Sequence, residues 1–335
     1  MKYRELGKTR LRVSEIGFGC GNVGGLMIRG SRRDQIQAVS RATELGINYF
    51  DTAARYGDGL SETNLGQVLK ELKPKDVIVA TKVGLDAEDL GDVGGAVQRS
   101  LERSLDRLNR ESVDVLQLHA QIASVRGRLR REALGVEDVL GSGGVADAFD
   151  EVRAQGLTHF CGFTGLGETE ALHRIVESGR FDVVQAYYNL LNPSAGFPVP
   201  AGFVGNDFKL LIQKASERKM GVVVIRALAG GALGGEISRQ GYASSTPGSL
   251  VAGTGYEAEV ERANRLHFLV TGEIRSLPQA AMRFALMNRG ISTVLVGFSN
   301  LDQIEEAASC SGKEPFPKSV IERLQELWAT DFGRR

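Results

Sequence analysis

Four polar residues in the first part of the chain have the side chains needed to pass a proton to or from an oxygen atom. They are an aspartate, a tyrosine, a lysine and a histidine: Asp51, Tyr56, Lys82 and His119. The ordinary pKa of tyrosine is about 10, which is too high for an efficient acid near neutrality. A neighbouring ammonium stabilises the tyrosinate and lowers that pKa. We therefore expect Tyr56 to act as acid or base, with Lys82 beside it.

The other two residues would support the same chemistry. Delivery of a hydride to a carbonyl carbon leaves an alkoxide that needs a proton, and Tyr56 would supply it. Asp51 would keep Lys82 charged and oriented, while His119 would hydrogen-bond the carbonyl oxygen. Any one of these residues alone is more typical of a strand end or a turn cap. Four complementary side chains on successive strand ends indicate a site that reduces carbonyls or oxidises alcohols.

All four residues lie at or just after the end of an apolar run, and such runs recur along the chain. Several are continuous, as in Val77-Ile78-Val79-Ala80, which is typical of strands buried on both faces of a parallel sheet. Eight strands are predicted: Glu15–Gly19, Asn48–Asp51, Val77–Val83, Val113–His119, His159–Gly165, Val183–Tyr188, Gly221–Ala227 and Thr293–Gly297. Neighbouring strand ends converge at one mouth of a barrel, so the four side chains can meet there.

Amphipathic helical patterns alternate with the predicted strands. They cover Asp34–Leu45, Ser61–Leu72, Asp92–Leu108, Val145–Gln155, Thr169–Ser178, Asp207–Lys219, Leu277–Asn288 and Leu301–Ser309. Ser31 and Ser276 stand at N-cap positions. Gly46, Gly156 and Gly179 follow helix ends, where a left-handed cap favours glycine. Strict alternation predicts the α/β class and a (β/α)8 TIM barrel, with an open doubly wound sheet as the competing architecture.

Additional segments flank and interrupt the alternation of predicted strands and helices. Tyr3–Leu6 and Leu11–Val13, around the turn Gly7-Lys8, predict an N-terminal β-hairpin. Long loops follow the fourth and seventh strands, over 120–144 and 228–276, and the second contains a helical stretch near Tyr256–Val270. A last helix near Ser319–Trp328 would pack on the outside. We find no linker, so residues 1–335 are expected to form a single domain.

A glycine pattern directly after the first strand is similar to a dinucleotide-binding fingerprint. Gly19-Cys20-Gly21-Asn22-Val23-Gly24 matches GxGxxG, and Asp51 ends the next strand. That fingerprint requires a helix that opens within the glycines, whereas the helical pattern here begins only after Ser31. With 42 glycines in the chain, we interpret the match as fortuitous.

The bulk composition excludes several classes of protein. The 41 basic and 41 acidic residues balance, so no net charge favours nucleic acid or an anionic membrane. The three cysteines, Cys20, Cys161 and Cys310, form no CxxC pair, and no metal site is predicted. The polar N-terminus lacks a signal sequence, and no segment is apolar enough to span a membrane. A cytoplasmic location is expected, and the oligomeric state is left open.

The chain resembles the aldo-keto reductase superfamily in motifs that run from the hairpin to about Ser309. They are FDTAARYG around Asp51 and Tyr56, ATK ending at Lys82, LQLH ending at His119, Gln185–Asn189, Arg226–Gly231, and VGFSN with Gln303 and Glu306. Gly162–Leu166 and STVLVGFS resemble the branch of L-galactose dehydrogenase and related aldose dehydrogenases.

The resemblance implies an NAD(P)-dependent oxidoreductase. Its cofactor-binding residues would be Gly19, Cys20, Asp51, Thr164, Gln185, Arg226, Leu228, Gly230, Gly297, Ser299, Gln303 and Glu306. Thr164 and Gln185 would face the nicotinamide carboxamide, the Arg226–Gly231 loop would follow the pyrophosphate, and the segment after the eighth strand would hold the adenosine. Thr164-Gly165 stands where most members have Ser-Asn, and Ala307 replaces a common asparagine. No lysine or arginine near Ser299–Glu306 would pair with a 2′-phosphate, but Arg226 or a loop residue could supply that charge, so NAD and NADP both stay open.

The predicted substrate is a small carbonyl compound or a sugar, such as an aldose, a keto-sugar or another small aldehyde or ketone. The alternative is a non-catalytic nucleotide-sensing subunit resembling the β subunits of potassium channels. A lyase or isomerase that uses Lys82 as a Schiff base is a third hypothesis, which the Asp51 and Tyr56 pattern disfavours.

Overall fold

Eight parallel strands close into a barrel in the computed structural model, which describes residues 1–129, 133–201, 203–239, 241–245 and 255–334. The strands are β1 (Ile16–Gly19), β2 (Tyr49–Asp51), β3 (Ile78–Val83), β4 (Val113–Leu118), β5 (Thr158–Gly165), β6 (Val183–Tyr187), β7 (Gly221–Ile225) and β8 (Thr293–Gly297). β8 pairs with β1, with Val296 opposite Phe18 and Gly297 opposite Gly19. This pairing excludes the open sheet and confirms the predicted (β/α)8 barrel.

Eight helices surround the barrel, each near its predicted position. They are α1 (Arg32–Glu44), α2 (Leu60–Leu72), α3 (Val93–Leu108), α4 (Val145–Ala154), α5 (Thr169–Glu177), α6 (Leu211–Glu217), α7 (Leu277–Leu286) and α8 (Leu301–Ser309). The predicted caps are confirmed, since Ser31 and Ser276 accept hydrogen bonds from the backbone of Asp34 and Gln279. The predicted start of α6 at Asp207 is wrong. Lys209 and Leu210 have left-handed backbone, which delays the helix to Leu211.

The N-terminal hairpin covers the bottom of the barrel. Its strands, Tyr3–Glu5 and Arg12–Ser14, are antiparallel as predicted. The connection is a 3-10 turn over Gly7–Thr9 rather than the expected two-residue turn. Leu6 and Val13 pack against the side chains that fill the barrel, namely Tyr49, Ile78, Ala80, Val115, Val183 and Val223. The hairpin therefore closes the end opposite the carboxyl ends of the strands, where the site residues lie.

The two predicted long loops contain elements that the sequence did not indicate. Within residues 120–129 and 133–144, Ile122–Ala123 and Leu134–Gly135 form two short paired strands, and Val136–Leu140 form a helix. In residues 228–276, the expected helical stretch divides into an α-helix over Tyr256–Asn264 and a 3-10 turn over His267–Leu269. Outside these loops, the sequence also did not predict the four-residue helix Leu26–Arg29, which lies between β1 and α1.

A third long connection, from the end of β6 to α6, was not predicted. Asn189 organises its start, because its carboxamide oxygen accepts hydrogen bonds from the backbone of Leu191 and Asn192. The C-terminal helix, Lys318–Ala329, lies near its predicted position and anchors this connection. Its Trp328 is buried and donates to the Leu190 carbonyl across 2.8 Å. Across the described ranges, no helix is long and apolar enough to cross a membrane.

Candidate active site

Asp51, Tyr56 and Lys82 meet at the carboxyl ends of β2 and β3. Asp51 is the last residue of β2, and Lys82 lies one residue before the end of β3. The Lys82 ammonium forms a salt bridge with Asp51 and donates to the Thr52 carbonyl across 2.8 Å. Its Nζ lies 3.2 Å from the Tyr56 hydroxyl. The barrel thus brings together the three residues in the arrangement that the sequence predicted.

The Asp51 carboxylate accepts hydrogen bonds from three side chains. Besides Lys82, the amides of Gln117 and Gln185 donate to its Oδ2 across 3.0 and 2.6 Å. Burial raises the pKa of Asp51, while Lys82 and the two glutamines oppose that rise. Three donors fit an ionised carboxylate, which only accepts hydrogen bonds. Gln117 was not predicted as a site residue, although its position two residues before His119 on a barrel strand was a usable signal.

The electrostatics of Tyr56 differ from the sequence-based expectation. Burial raises the pKa of the phenol above its ordinary value of 10, and Lys82 opposes that rise without overcoming it. The Lys82 ammonium also lies 4.7 Å from the centre of the tyrosine ring. Lys82 therefore acts on Tyr56 in the predicted direction, but the net shift is upward because the phenol is removed from water.

His119 lies directly after β4 and next to Tyr56. The two rings meet edge to face with their centres 5.6 Å apart. Burial lowers the pKa of His119 to about 3, helped by the positive charges of Lys82 and Arg55. The imidazole is therefore neutral near pH 7. Its Nδ1 is buried and has no hydrogen-bond partner among the described residues.

These side chains form one end of a cavity of about 530 Å³ at the mouth of the barrel. Tyr56, His119 and Asp51 lie on its wall, and the cavity runs past the ends of β1 and β8 to α7 and α8. Of the predicted cofactor-binding residues, all but Cys20 line it: Gly19, Asp51, Thr164, Gln185, Arg226, Leu228, Gly230, Gly297, Ser299, Gln303 and Glu306. Cys20 is buried, and its carbonyl accepts a hydrogen bond from Ser61.

Glycines allow two backbone segments to pack closely in one wall of the cavity. A Cβ on Gly24 would lie 2.4 Å from the backbone nitrogen of Phe298, and a Cβ on Gly19 would lie 3.1 Å from the Val296 carbonyl oxygen. Ser299 donates to the Gly24 carbonyl across 2.6 Å. The GxGxxG match therefore has a packing explanation, because these glycines let the loop after β1 pass close to the end of β8.

Residues 235–239 and 241–245, in the long loop after β7, form another wall of the cavity. Glu236, Ser238 and Arg239 line the cavity. Arg239 donates to the Gly230 carbonyl across 2.8 Å, and Ser244 donates from its backbone to the Val23 carbonyl across 3.1 Å. These residues therefore join the loop after β7, to which they belong, to the loop after β1 by hydrogen bonds.

Polar atoms and charges are distributed unevenly along the cavity. Thr164 Oγ1 is buried without a hydrogen-bond partner in the described part of the chain. The described cations on the wall are Arg226 and Arg239, both on the loop after β7. Glu306 lines the end of the cavity away from Tyr56 and accepts a hydrogen bond from Ser276. Within the described ranges, no group of three or more histidine, cysteine or acidic side chains could hold a metal ion.

Comparison with known proteins adds a family and a set of relatives. The sequence profile of the Aldo/keto reductase family matches residues 15–329. The chain is 31% identical to L-galactose dehydrogenase of Arabidopsis thaliana, over 91% of this chain and 86% of that protein. It is 27% identical to D-threo-aldose 1-dehydrogenase of a Pseudomonas species, over 94% of each chain.

A solved structure has the same fold. It is the holo form of the aldo-keto reductase AKR11C1 from Bacillus halodurans, with a TM-score of 0.70 and 23% sequence identity. The match covers 98% of this chain and 96% of that chain. At this identity the likeness concerns the fold alone, and it agrees with the closed eight-stranded barrel.

Proposed function

Because this chain belongs to the Aldo/keto reductase family, we propose that it is an NAD(P)-dependent oxidoreductase in which Tyr56 is the general acid and base. One observation carries the proposal. The Tyr56 hydroxyl lies 3.2 Å from the ammonium of Lys82, which is salt-bridged to buried Asp51, at the wall of a cavity of about 530 Å³. A phenol with a cation beside it, open to a ligand cavity, suits proton transfer to a carbonyl oxygen.

In the direction of reduction, the substrate carbonyl oxygen accepts hydrogen bonds from Tyr56 and His119. The chemistry that a bound nicotinamide cofactor would supply is the transfer of a hydride to the carbonyl carbon. Tyr56 then gives its proton to the alkoxide, and Lys82 stabilises the resulting tyrosinate. In oxidation the same phenolate takes the proton of the alcohol.

His119 acts as a neutral hydrogen-bond donor in this scheme. Its lowered pKa of about 3 means that the imidazole has one N–H and no charge near neutrality. A neutral donor polarises the carbonyl oxygen and fixes the substrate pose without competing with Tyr56 as an acid.

The shape and polarity of the cavity suit a nicotinamide dinucleotide. Tyr56 lies on the same cavity wall as Ser299, Gln303 and Glu306, so the latter three residues would hold the adenosine of a cofactor whose nicotinamide was bound beside Tyr56. Thr164 has an unused buried hydroxyl, which suits the carboxamide of the nicotinamide ring together with Gln185. Gly19 and Gly297 line the cavity without side chains, which leaves room for an extended ligand. The remaining candidate contacts are Cys20, Asp51, Arg226, Leu228 and Gly230.

The proposal includes both NAD and NADP. A 2′-phosphate requires a cation near the adenosine. The cavity residues after β8 are Ser299, Gln303 and Glu306, and none of these three is a cation. For the substrate we propose an aldose, a keto-sugar or another small aldehyde or ketone. Two relatives whose names state sugar substrates, L-galactose and D-threo-aldoses, support this choice.

The test compares Tyr56→Phe with wild type and with Tyr3→Phe, since Tyr3 is 42% exposed and far from the cavity wall. Absorbance of reduced nicotinamide follows turnover with aldoses and aldehydes, and fluorescence titration measures cofactor affinity. We expect Tyr56→Phe to lose nearly all turnover while it still binds NADH or NADPH. Wild-type turnover in this variant would exclude Tyr56 as the acid. A wild-type protein that binds the cofactor tightly but reacts with none of these compounds would support the non-catalytic nucleotide-sensing subunit instead.

A further inference from the structure

Glu62 is a fully buried acidic residue on the first turn of α2, and it does not line the cavity. Its Oε1 accepts a hydrogen bond from the Thr81 hydroxyl of β3. Its Oε2 accepts one from the Arg107 guanidinium of α3 across 2.7 Å. A buried carboxylate is costly unless it is paired and hydrogen-bonded, and both oxygens of this one have a donor. The carboxylate therefore ties β3 to α2 and α3 at the position of Thr81.

Thr81 directly precedes Lys82 on β3. Successive side chains of a strand point to opposite faces. Lys82 extends into the barrel mouth, where it pairs with Asp51, whereas the Thr81 hydroxyl faces α2 and binds Glu62. An apolar contact would also hold the helix against the strand, but a hydrogen bond is directional and fixes the rotation of the strand as well. The contact at Thr81 thus fixes the backbone from which the Lys82 side chain extends.

Ser61, the preceding residue of α2, contacts the segment that follows β2. Its hydroxyl donates to the Cys20 carbonyl across 2.9 Å. A serine has one O–H, so in the 2.8 Å contact with Thr52 the Thr52 hydroxyl is the donor. The backbone N–H of Ser61 donates to the Tyr56 carbonyl across 3.2 Å. Since Thr52 directly follows Asp51, the first turn of α2 contacts Tyr56 itself and the neighbour of Asp51.

We propose that Ser61 and Glu62 are positioning residues that hold the Tyr56 hydroxyl within hydrogen-bonding distance of the neighbouring ammonium. Neither residue lines the cavity, so both act through Tyr56 and Lys82 rather than on substrate or cofactor. Lys82 stabilises the tyrosinate by a charge interaction that weakens with separation. Loss of either contact should therefore slow proton transfer and leave binding unchanged. The inference rests on the proposed oxidoreductase function.

The test replaces Thr81 by valine, which has a similar shape and lacks the hydroxyl that Glu62 binds. Turnover of glyceraldehyde with NADH or NADPH gives kcat and KM, and fluorescence titration with NADH gives cofactor affinity and the concentration of binding sites. We expect Thr81→Val to lower kcat per binding site by about 10- to 100-fold, because a misplacement of about 1 Å can cost about 100-fold. KM and NADH affinity should stay at the wild-type values.

Two further variants show whether the hydroxyl is responsible. Thr81→Ser keeps the hydroxyl and should retain most of the wild-type kcat. The matched control is Thr293→Val, since Thr293 is a buried threonine at the start of β8, away from the cavity wall. Its Oγ1 has no hydrogen-bond partner in the part of the chain that the structure describes, and Thr293→Val should have the wild-type kcat. Equal losses of kcat in Thr81→Val and Thr81→Ser would overturn the proposal, as would a wild-type kcat in Thr81→Val.

A double variant separates positioning from a general loss of packing. In a Lys82→Met background, Thr81→Val should lower kcat no further, because the residue through which it acts is already absent. The same fold-loss in both backgrounds would overturn the proposal. Should Thr81→Val fail to fold, Ser61→Ala is compared in the same two backgrounds, with the same expected and contrary results. A wild type that reduces neither glyceraldehyde nor any sugar would refute the oxidoreductase function itself, whereas an active wild type with an unaffected Thr81→Val would refute only the positioning role.

Discussion

The side-chain amide of Gln117 donates a hydrogen bond to Asp51 Oδ2 across 3.0 Å, inside the barrel and fully shielded from water. The two residues come from β4 and β2, and Lys82 lies on β3 between them, with Gln117 as its register partner. Gln117 on β4 therefore supports the ion pair that Asp51 on β2 forms with Lys82 on β3. Buried ion pairs are costly unless their remaining hydrogen-bonding capacity is satisfied. The Gln117 amide satisfies part of that capacity on Asp51 and so lowers the cost of burying the pair.

Replacement of Gln117 by leucine tests that role. Asp51 would keep two donors and lose the third, so its pKa should rise further. We expect the free energy of unfolding to fall by about 1–3 kcal/mol, the cost of leaving a buried acceptor short of a partner. Denaturant unfolding measures the loss, with Gln213→Leu on the exposed face of α6 as the matched control. Equal stability of the two variants would show that Asp51 does not depend on Gln117.

Replacement of Lys82 by methionine tests its effect on Tyr56. Without the ammonium, nothing comparable opposes the rise in the Tyr56 pKa caused by burial, and turnover should fall by about 10²–10⁴-fold. The pH dependence of alcohol oxidation should shift to higher pH, because the tyrosinate forms less readily. Lys70→Met, on the exposed side of α2, should have wild-type turnover.

The Lys82 variant also leaves Asp51 buried without its cation, which can destabilise the fold. The double variant Asp51→Asn and Lys82→Met removes both charges and should recover much of the stability. Its turnover should stay as low as that of Lys82→Met alone. Recovery of turnover together with stability would mean that Lys82 has only a structural role.

Protonation of His119 should make the protein less stable in acid. Its pKa is about 3 in the folded state, below the ordinary value of 6.5, so between these values the unfolded chain binds the extra proton. The free energy of unfolding should therefore fall as the pH drops from about 6.5 to 3, by at most about 1.4 kcal/mol per pH unit from this residue. Above pH 6.5 His119 should contribute no pH dependence.

The comparison is between wild type, His119→Gln and the control His159→Gln, which changes an exposed histidine on β5. Chemical denaturation at a series of pH values gives the stability slopes. His119→Gln should flatten the slope between pH 6.5 and 3, whereas His159→Gln should leave it near wild type. Parallel slopes for wild type and His119→Gln would contradict the lowered pKa.

Substitution of Gly24 by alanine tests the glycine wall of the cavity. The new Cβ would lie 2.4 Å from the Phe298 backbone nitrogen, so the loop after β1 or the end of β8 must move. Because both segments line the cavity, we expect NADH affinity to weaken by about 10-fold or more, which corresponds to at least 1.4 kcal/mol. In the control, Gly94→Ala on α3, the added Cβ meets only a flexible glutamate side chain at 3.5 Å. Wild-type affinity in the Gly24 variant would show that the close approach is unimportant for binding.

The sequence by itself determined the barrel and the strand-end positions of the candidate site residues. Apolar runs that alternate with amphipathic helices have few compatible folds, and the position of each polar residue relative to its run places it at a strand end. Asp51, Lys82 and His119 could therefore be located from local patterns alone. The largest error in the limit of a barrel helix, at the start of α6, falls where Lys209 and Leu210 have left-handed backbone.

Only the tertiary structure decided how these residues act on one another. The upward pKa shift of Tyr56 depends on its burial beside the Asp51–Lys82 pair, and burial is set by the whole barrel rather than by neighbours in sequence. The same holds for Gln117 beside Asp51, whose hydrogen bond joins strands that are far apart along the chain. Local propensity determines the strands and helices, whereas electrostatics depend on distances that exist only after the barrel has closed.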